Sequence, residues 1–393
     1  MNMSPRIDRL APLVFVPPAM GMPWTCAPVQ TGGFPIRRAD GSELVLDSPL
    51  FWFDPPWDWV DADSADVIAE SVAQRGVVVS ALRRDLSDSE TPSALHINHR
   101  AGRRADHSGD SCKLQPLPRI VPYRPERYGL AAADFDGASI VDVRLTVTRD
   151  DTGRFAYSPE QIKRWEQSSE ERPLAGGSWA PAATFPPDVP AMDRLHSKLN
   201  QIRMLSPSSA VFVSISPYRL DQDLPQVIRQ KPDGVILRAD DIQFDGLTLV
   251  AMTRRARQWM KHENVPDMPL WIVPGEITPD DAVKLITLGA SGVAIDSWCN
   301  EIIESAEQSA EQSAAARMGF KSNRSTPSAF LNELVQHHLE ESLERFDGLS
   351  HSILQVPHDE RLASLDATWA NSLGLRHLAF GIKSEAAGAA RIK

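Results

Sequence analysis

One stretch, residues 270–298, restricts the fold of this chain more than any other: Leu-Trp-Ile-Val-Pro-Gly-Glu-Ile-Thr-Pro-Asp-Asp-Ala-Val-Lys-Leu-Ile-Thr-Leu-Gly-Ala-Ser-Gly-Val-Ala-Ile-Asp-Ser-Trp. Leu270, Trp271, Ile272 and Val273 form a short apolar run that stops at Pro274-Gly275, as a buried strand does when it meets a turn. Thr278 suits a helix N-cap, Pro279 the first helical position, and Asp281 completes a capping box three residues after the cap. Ala282, Leu285, Ile286 and Ala290 then share one helical face, and Gly289 suits the C-terminal end. Gly292, Val293, Ala294 and Ile295 supply a second buried run. Strand, loop, helix and strand at this spacing make a parallel unit. In parallel α/β folds ligands lie beyond the carboxyl ends of the strands, so Gly275, Glu276, Asp296 and Ser297 are expected to face a site.

The alternation repeats along the chain. Strand patterns fall at 49–53, 77–82, 119–123, 140–145, 211–215, 234–237, 270–273 and 292–295. Helical patterns fall between them at 64–74, 159–166, 192–205, 224–230, 247–261 and 279–288. Eight strands with intervening helices over about 250 residues fit an α/β fold of the (β/α)8 TIM-barrel type; the same alternation also fits a doubly wound open sheet. Residues 1–47 form a Pro-rich N-terminal lead-in, 48–300 the barrel, and 301–393 a C-terminal helical extension. The extension opens on a Glu/Ser/Ala/Gln-rich stretch, continues through an amphipathic helix at 327–343 and ends in a flexible small-residue tail. Inside the barrel, residues 83–116 are polar, carry Arg83, Arg84, Arg100, Arg103 and Arg104, and lack apolar periodicity, which predicts a long loop.

A net charge of −11 and a pI of 5.4 argue against nucleic acid or an anionic membrane as a general partner, leaving a small-molecule ligand or a protein. Cys26, Cys112 and Cys299 are far apart and make no metal or disulfide pattern, which suits a cytoplasmic location. No apolar run reaches the ~20 residues that span a bilayer. The apolar segment after Arg9 imitates a signal peptide, but Pro12, Pro17 and Pro18 break its helix and Asp8 sits in its basic region.

Several motifs occur in a telling order. Leu10-Ala-Pro-Leu-Val-Phe-Val-Pro-Pro-Ala opens the chain, Arg127-Tyr-Gly-Leu follows the third strand, and Phe185-Pro-Pro-Asp-Val-Pro-Ala-Met-Asp precedes a long helix. Thr278, Asp281, Lys284, Leu288, Gly289 and Ala290 come next, and Leu373-Gly-Leu-Arg-His-Leu closes the series. This order resembles the FMN-binding synthase domain of glutamate synthases, nearest the short archaeal-type proteins, over roughly residues 8–380. The resemblance implies a barrel that binds FMN and makes glutamate from 2-oxoglutarate and ammonia through an imine. It places Arg127 and Arg144 as anion anchors, and Gly275, Thr278 and Ser297 near the FMN phosphate.

The chain departs from that family at its ligand-facing positions. After strand one, where the family has small residues under the flavin, stand Phe51, Trp52, Phe53, Trp57 and Trp59; they are read either as core packing or as a platform for a planar ligand. The glycine-rich loop after strand two is Ser80-Ala-Leu-Arg-Arg-Asp, and the family's lysine facing the flavin N1/O2 edge is Ser214. Glu276 and Asp296 replace phosphate-binding glycines. At an effective dielectric of ~20 and a spacing of ~5 Å, a carboxylate facing the phosphate costs about 3 kcal/mol. The opposing readings are that both acids turn to solvent, or that they bridge a divalent cation with Asp240 or Asp241. His96, His99 and His107 have no supporting ligand spacing, so no metal site is expected. Only Cys299 follows strand eight, where the family's iron–sulfur cluster needs three cysteines, so no cluster is expected. The residues therefore point to a divergent glutamate-synthase-like barrel with a degenerate FMN site and a binding or scaffold role; the alternative is an FMN-dependent oxidoreductase of glutamate synthase type.

Overall fold

The eight apolar runs become eight parallel strands that close on themselves: β1 (Leu50–Trp52), β2 (Val78–Ser80), β3 (Arg119–Tyr123), β4 (Ile140–Arg144), β5 (Ala210–Ile215), β6 (Gly234–Arg238), β7 (Leu270–Val273) and β8 (Gly292–Ala294). Closure runs through the pairs Val293↔Leu50 and Ala294↔Phe51. The open sheet that the alternation also permits is thereby replaced by a (β/α)8 barrel. The computed structural model describes residues 8–16, 33–81, 118–123, 132–145, 156–157, 180–181, 189, 191–240, 244–316, 328–354 and 361–378. The polar insertion 83–116, Arg127 and the helix expected at 159–166 lie outside these residues.

Helices α1 (Ala62–Ala73), α2 (Leu195–Leu205), α3 (Leu220–Arg229), α4 (Gly246–His262), α5 (Pro279–Thr287) and α6 (Asp296–Ala316) surround the strands. The α5 start is as the sequence predicts: the Thr278 hydroxyl accepts from the Asp281 N–H at 3.2 Å, and the Asp281 carboxylate accepts from the Thr278 N–H at 3.4 Å. No helix among the described residues is long and apolar enough to cross a membrane.

Inside the barrel, Phe51, Phe212 and Trp271 form an aromatic layer, with Phe51 and Trp271 stacked at 4.4 Å. Rings of that size fit because β8 offers Gly292 opposite: a Cβ there would lie 2.7 Å from the Trp271 indole. Below this layer the lead-in contributes a hairpin, Phe34–Arg37 paired antiparallel with Glu43–Leu46, whose Ile36 and Leu46 join the interior cluster. The hairpin therefore plugs the amino end of the barrel.

The two termini of the described chain are tied together. Leu13–Phe15 pairs antiparallel with Leu362–Ser364, which pairs parallel with Arg376–His377. A 27-residue helix, α7 (Ser328–Leu354), packs on α1, α5 and α6. It is longer than the 327–343 pattern because Phe346 and Ile353 continue the buried face set by Leu331, Val335 and Leu339. The α6 helix runs through position 300, where the sequence pattern places the start of the extension. A short helix, α8 (Ala367–Leu373), then rests on the start of α4. The lead-in docks through Asp281, which accepts from the Arg9 and Leu10 N–H groups at 3.1 and 3.2 Å, and through Lys284, which donates to the Leu10 carbonyl at 2.9 Å.

The docking depends on Gly246. A Cβ there would sit 1.9 Å from the Arg9 carbonyl oxygen and 3.1 Å from the Trp369 ring. Gly246→Ala is therefore expected to destabilise the protein by about 1–3 kcal/mol in urea unfolding. Gly348, inside α7, has nothing within 4 Å of its Cβ position, so Gly348→Ala is expected to stabilise by about 0.5–1 kcal/mol.

Candidate site at the mouth of the barrel

The carboxyl ends of the strands deliver a layer of charged groups onto the aromatic core. On β4, Asp142 and Arg144 are two residues apart and so share the interior face. Both are buried, at 0% and 2% exposure, deep enough that an unpaired charge would be costly. The Arg144 Nε donates to Asp142 at 2.9 Å, one terminal nitrogen to Asp54 at 3.0 Å, and the other to the Phe53 carbonyl at 2.5 Å and the Ser80 hydroxyl at 3.2 Å. The second Asp142 oxygen accepts from the Ser214 hydroxyl at 2.5 Å. The Arg144 guanidinium also lies 3.9 Å from the centre of the Phe53 ring, within cation–π range.

A second arginine, Arg238 at the end of β6, stands 5.1 Å from the same ring and pairs with Asp240 at 2.6 Å. Burial works against its charge, but Asp240, Asp54 and Asp296 outweigh burial and hold the guanidinium more firmly protonated than usual. At the end of β8, one residue, Ile295, separates the strand from α6, so Asp296 opens the helix directly at the barrel mouth. Its carboxylate accepts from the Asp54 N–H at 2.7 Å and the Phe53 N–H at 3.3 Å, pinning the loop after β1. Burial pushes the Asp296 carboxyl up to about 7, aided by the nearby Asp54 and Asp240 charges and opposed by the two N–H donors.

The residues singled out from the sequence are thus distributed as follows. Arg144, Ser214 and Asp296 belong to the mouth network, with Arg144 and Ser214 joined through Asp142 and Arg144 and Asp296 joined through Phe53 and Asp54. Glu276 is exposed, beside Gly275 at φ +80° in the loop after β7. Ser297 has a buried hydroxyl with no hydrogen-bond partner among the described residues. Thr278 is occupied by the α5 cap, and Arg127 lies outside the described residues. The aromatic loop divides: Phe51, Trp52, Phe53 and Trp57 are core, and Trp59 is exposed. Among the described residues no group of three or more His, Cys, Asp or Glu side chains is placed to hold a metal ion.

Three contributors escaped the sequence reading: Asp142, Arg238 and Arg9. Asp142 has a legible signal, since Asp-Val-Arg inside a strand puts both charges on one face. Arg238 and Asp240 repeat that spacing at the end of β6. Arg9 has no such signal. Its guanidinium donates to the Pro274 carbonyl at 2.5 Å and to the Phe244 carbonyl, linking the loops after β6 and β7.

No protein-family model and no curated protein sequence matches the chain. Similar solved structures include a mandelate oxidase variant with 4-Br-2-hydroxy-methylphenylacetate, at 13% identity over 87% of this chain and 84% of that one, TM-score 0.46. A mandelate oxidase variant with the C4a-OH-FMN adduct has 11% identity over 87% and 84%, TM-score 0.46. An active chimera of (S)-mandelate dehydrogenase has 14% identity over 90% and 88%, TM-score 0.47. Likenesses at this level carry nothing over to the site, and the barrel rests on its own strand pairing.

The Asp296 environment has a pH consequence. An acid whose proton affinity is higher in the folded than in the unfolded state makes stability fall as pH rises between the two values, here between about 4 and about 7. Asp281, also pushed up to about 7 by burial and by Asp8, acts in the same direction, so the comparison is made between wild type and Asp296→Asn. Between about pH 5 and pH 8 the stability difference is expected to move in favour of the variant by about 1–3 kcal/mol in urea titrations. A difference independent of pH would contradict the raised affinity.

Proposed function

We propose that this chain is a divergent glutamate-synthase-like barrel in which the flavin position is taken over by the protein's own side chains, and that it works by binding rather than by flavin redox chemistry. The observation that carries this reading is the saturation of the barrel mouth. A flavin site needs a cation with donors to spare for the flavin's electron-rich edge, and free N–H groups for the phosphate. Here the Arg144 nitrogens are directed to Asp142, Asp54, Phe53 and Ser80, and its guanidinium covers the Phe53 ring. At the phosphate end a carboxylate, Asp296, opens α6 and takes the two neighbouring N–H groups for itself. The donor set therefore does not fit FMN, and no reaction step is assigned to it.

A second reading has one observation in its favour. The buried, unpartnered Ser297 hydroxyl at the start of α6 is the kind of group a phosphate oxygen would satisfy, which favours an FMN-dependent oxidoreductase forming glutamate from 2-oxoglutarate and ammonia. A visible spectrum of the purified protein and a titration with FMN separate the two. The binding reading expects a colourless preparation and no FMN affinity tighter than about 1 mM, the level of roughly −4 kcal/mol. A yellow protein retaining stoichiometric FMN would overturn it.

A further inference from the structure

On the outside of the barrel, between α4, the end of α5 and the C-terminal extension, lies a cavity of about 460 Å³. Its wall carries four cations, Arg254, Arg257, Lys261 and Arg376, and no Asp or Glu among the described lining residues. In a chain with 52 acidic and 41 basic residues, that concentration of one sign is unlike the average surface. The four cations are not equivalent.

Arg257 is structural. Its Nε and terminal nitrogens donate to the carbonyls of Gly289, Pro266 and Met268 and to the Ser291 hydroxyl, at 2.6–3.0 Å, so it closes the C-terminal end of α5. The side chains of Arg254, Lys261 and Arg376 make no hydrogen bond or ion pair with any described residue. Arg254 is half-buried, and burial lowers its hold on its proton, so its charge sits where solvation is reduced with nothing to offset it. An adjoining groove shares Arg254, Gln258 and Gly374, but its other arginines are paired, Arg255 with Asp221 at 2.7 Å and Arg219 with Asp223 at 3.4 Å. The unbalanced positive charge therefore lies on the side of Arg254, Lys261 and Arg376. Leu288, Leu362 and Leu375 supply an apolar wall beside it.

We propose that this cavity is a binding site for a small molecule bearing a diphosphate group, with Arg254, Lys261 and Arg376 on the phosphoryl oxygens and the uncharged part of the ligand on the leucine wall. Three unpartnered cations match the roughly three negative charges of a diphosphate monoester, and the volume falls in the range of about 300–1,000 Å³ usual for small-molecule sites. The site uses none of the residues of the barrel mouth. Because Leu362 lies on the strand that pairs with the lead-in and Arg376 on the strand beside it, an occupant also bridges the barrel wall and the joined termini.

Calorimetric titration of the full chain with inorganic pyrophosphate, ADP and citrate tests the assignment. Pyrophosphate and ADP are expected to bind in the micromolar range and to raise the melting temperature, with affinity falling at least about fivefold between roughly 50 and 300 mM salt. Arg254→Gln is expected to weaken both at least about tenfold, and Lys261→Gln at least about threefold. Lys261 is exposed on α4, so its variant keeps the test valid should Arg254→Gln unfold. Tighter binding of citrate than of either diphosphate would overturn the ligand class. Absence of pyrophosphate and ADP binding at about 10 mM, or binding unchanged in both variants, would overturn the site.

Discussion

The mouth of this barrel is organised by one buried ion pair, Arg144 with Asp142. Removing both charges from water is expensive, and the pair persists only because nearly every donor and acceptor it brings is answered. Asp142 is answered by Arg144 and Ser214; Arg144 is answered by Asp142, Asp54, Phe53 and Ser80. Strands β1, β2, β4 and β5 are thereby joined above the aromatic layer. Asp296 extends the same arrangement to β8 by holding the N–H groups of Phe53 and Asp54. A network that completes itself leaves little of its binding capacity for a cofactor, and the functional reading depends on that property.

Much of the frame was legible in the sequence because buried parallel strands are short apolar runs bounded by turns, and the interior of a barrel demands them. The runs at 119–123 and 270–273 coincide with β3 and β7, and the Thr278–Asp281 capping box is formed as read. The hairpin at the amino end was missed although its signal was present: Asp40-Gly41 lies between Phe34–Arg37 and Glu43–Leu46. The Pro-rich composition around it masked that pattern.

The site was legible only in part, for a physical reason. Residue type shows which positions differ from the glycines and lysine of the family that the sequence resembles, but not how the residues that stand there pair. Glu276 and Asp296 look alike in sequence; one is exposed and the other turns onto two backbone N–H groups, because the direct passage from β8 into α6 aims it at the loop after β1. Arg9 acts 265 residues away in sequence, on the Pro274 carbonyl, a contact that only the folded chain defines. The outer cavity likewise brings α4 and the end of α5 against Leu362, Gly374, Leu375 and Arg376, an adjacency that only the folded chain defines.

The most direct test of the account is a double-mutant cycle on Arg144 and Asp142, using Arg144→Gln, Asp142→Asn and the double variant in urea unfolding. If the pair holds the barrel mouth together, each single change destabilises by about 3–5 kcal/mol and the double variant by clearly less than their sum, giving a coupling of about 2–3 kcal/mol. Additive effects, or an Arg144→Gln protein as stable as wild type, would mean that Arg144 is free to serve a ligand and that the mouth is not self-contained.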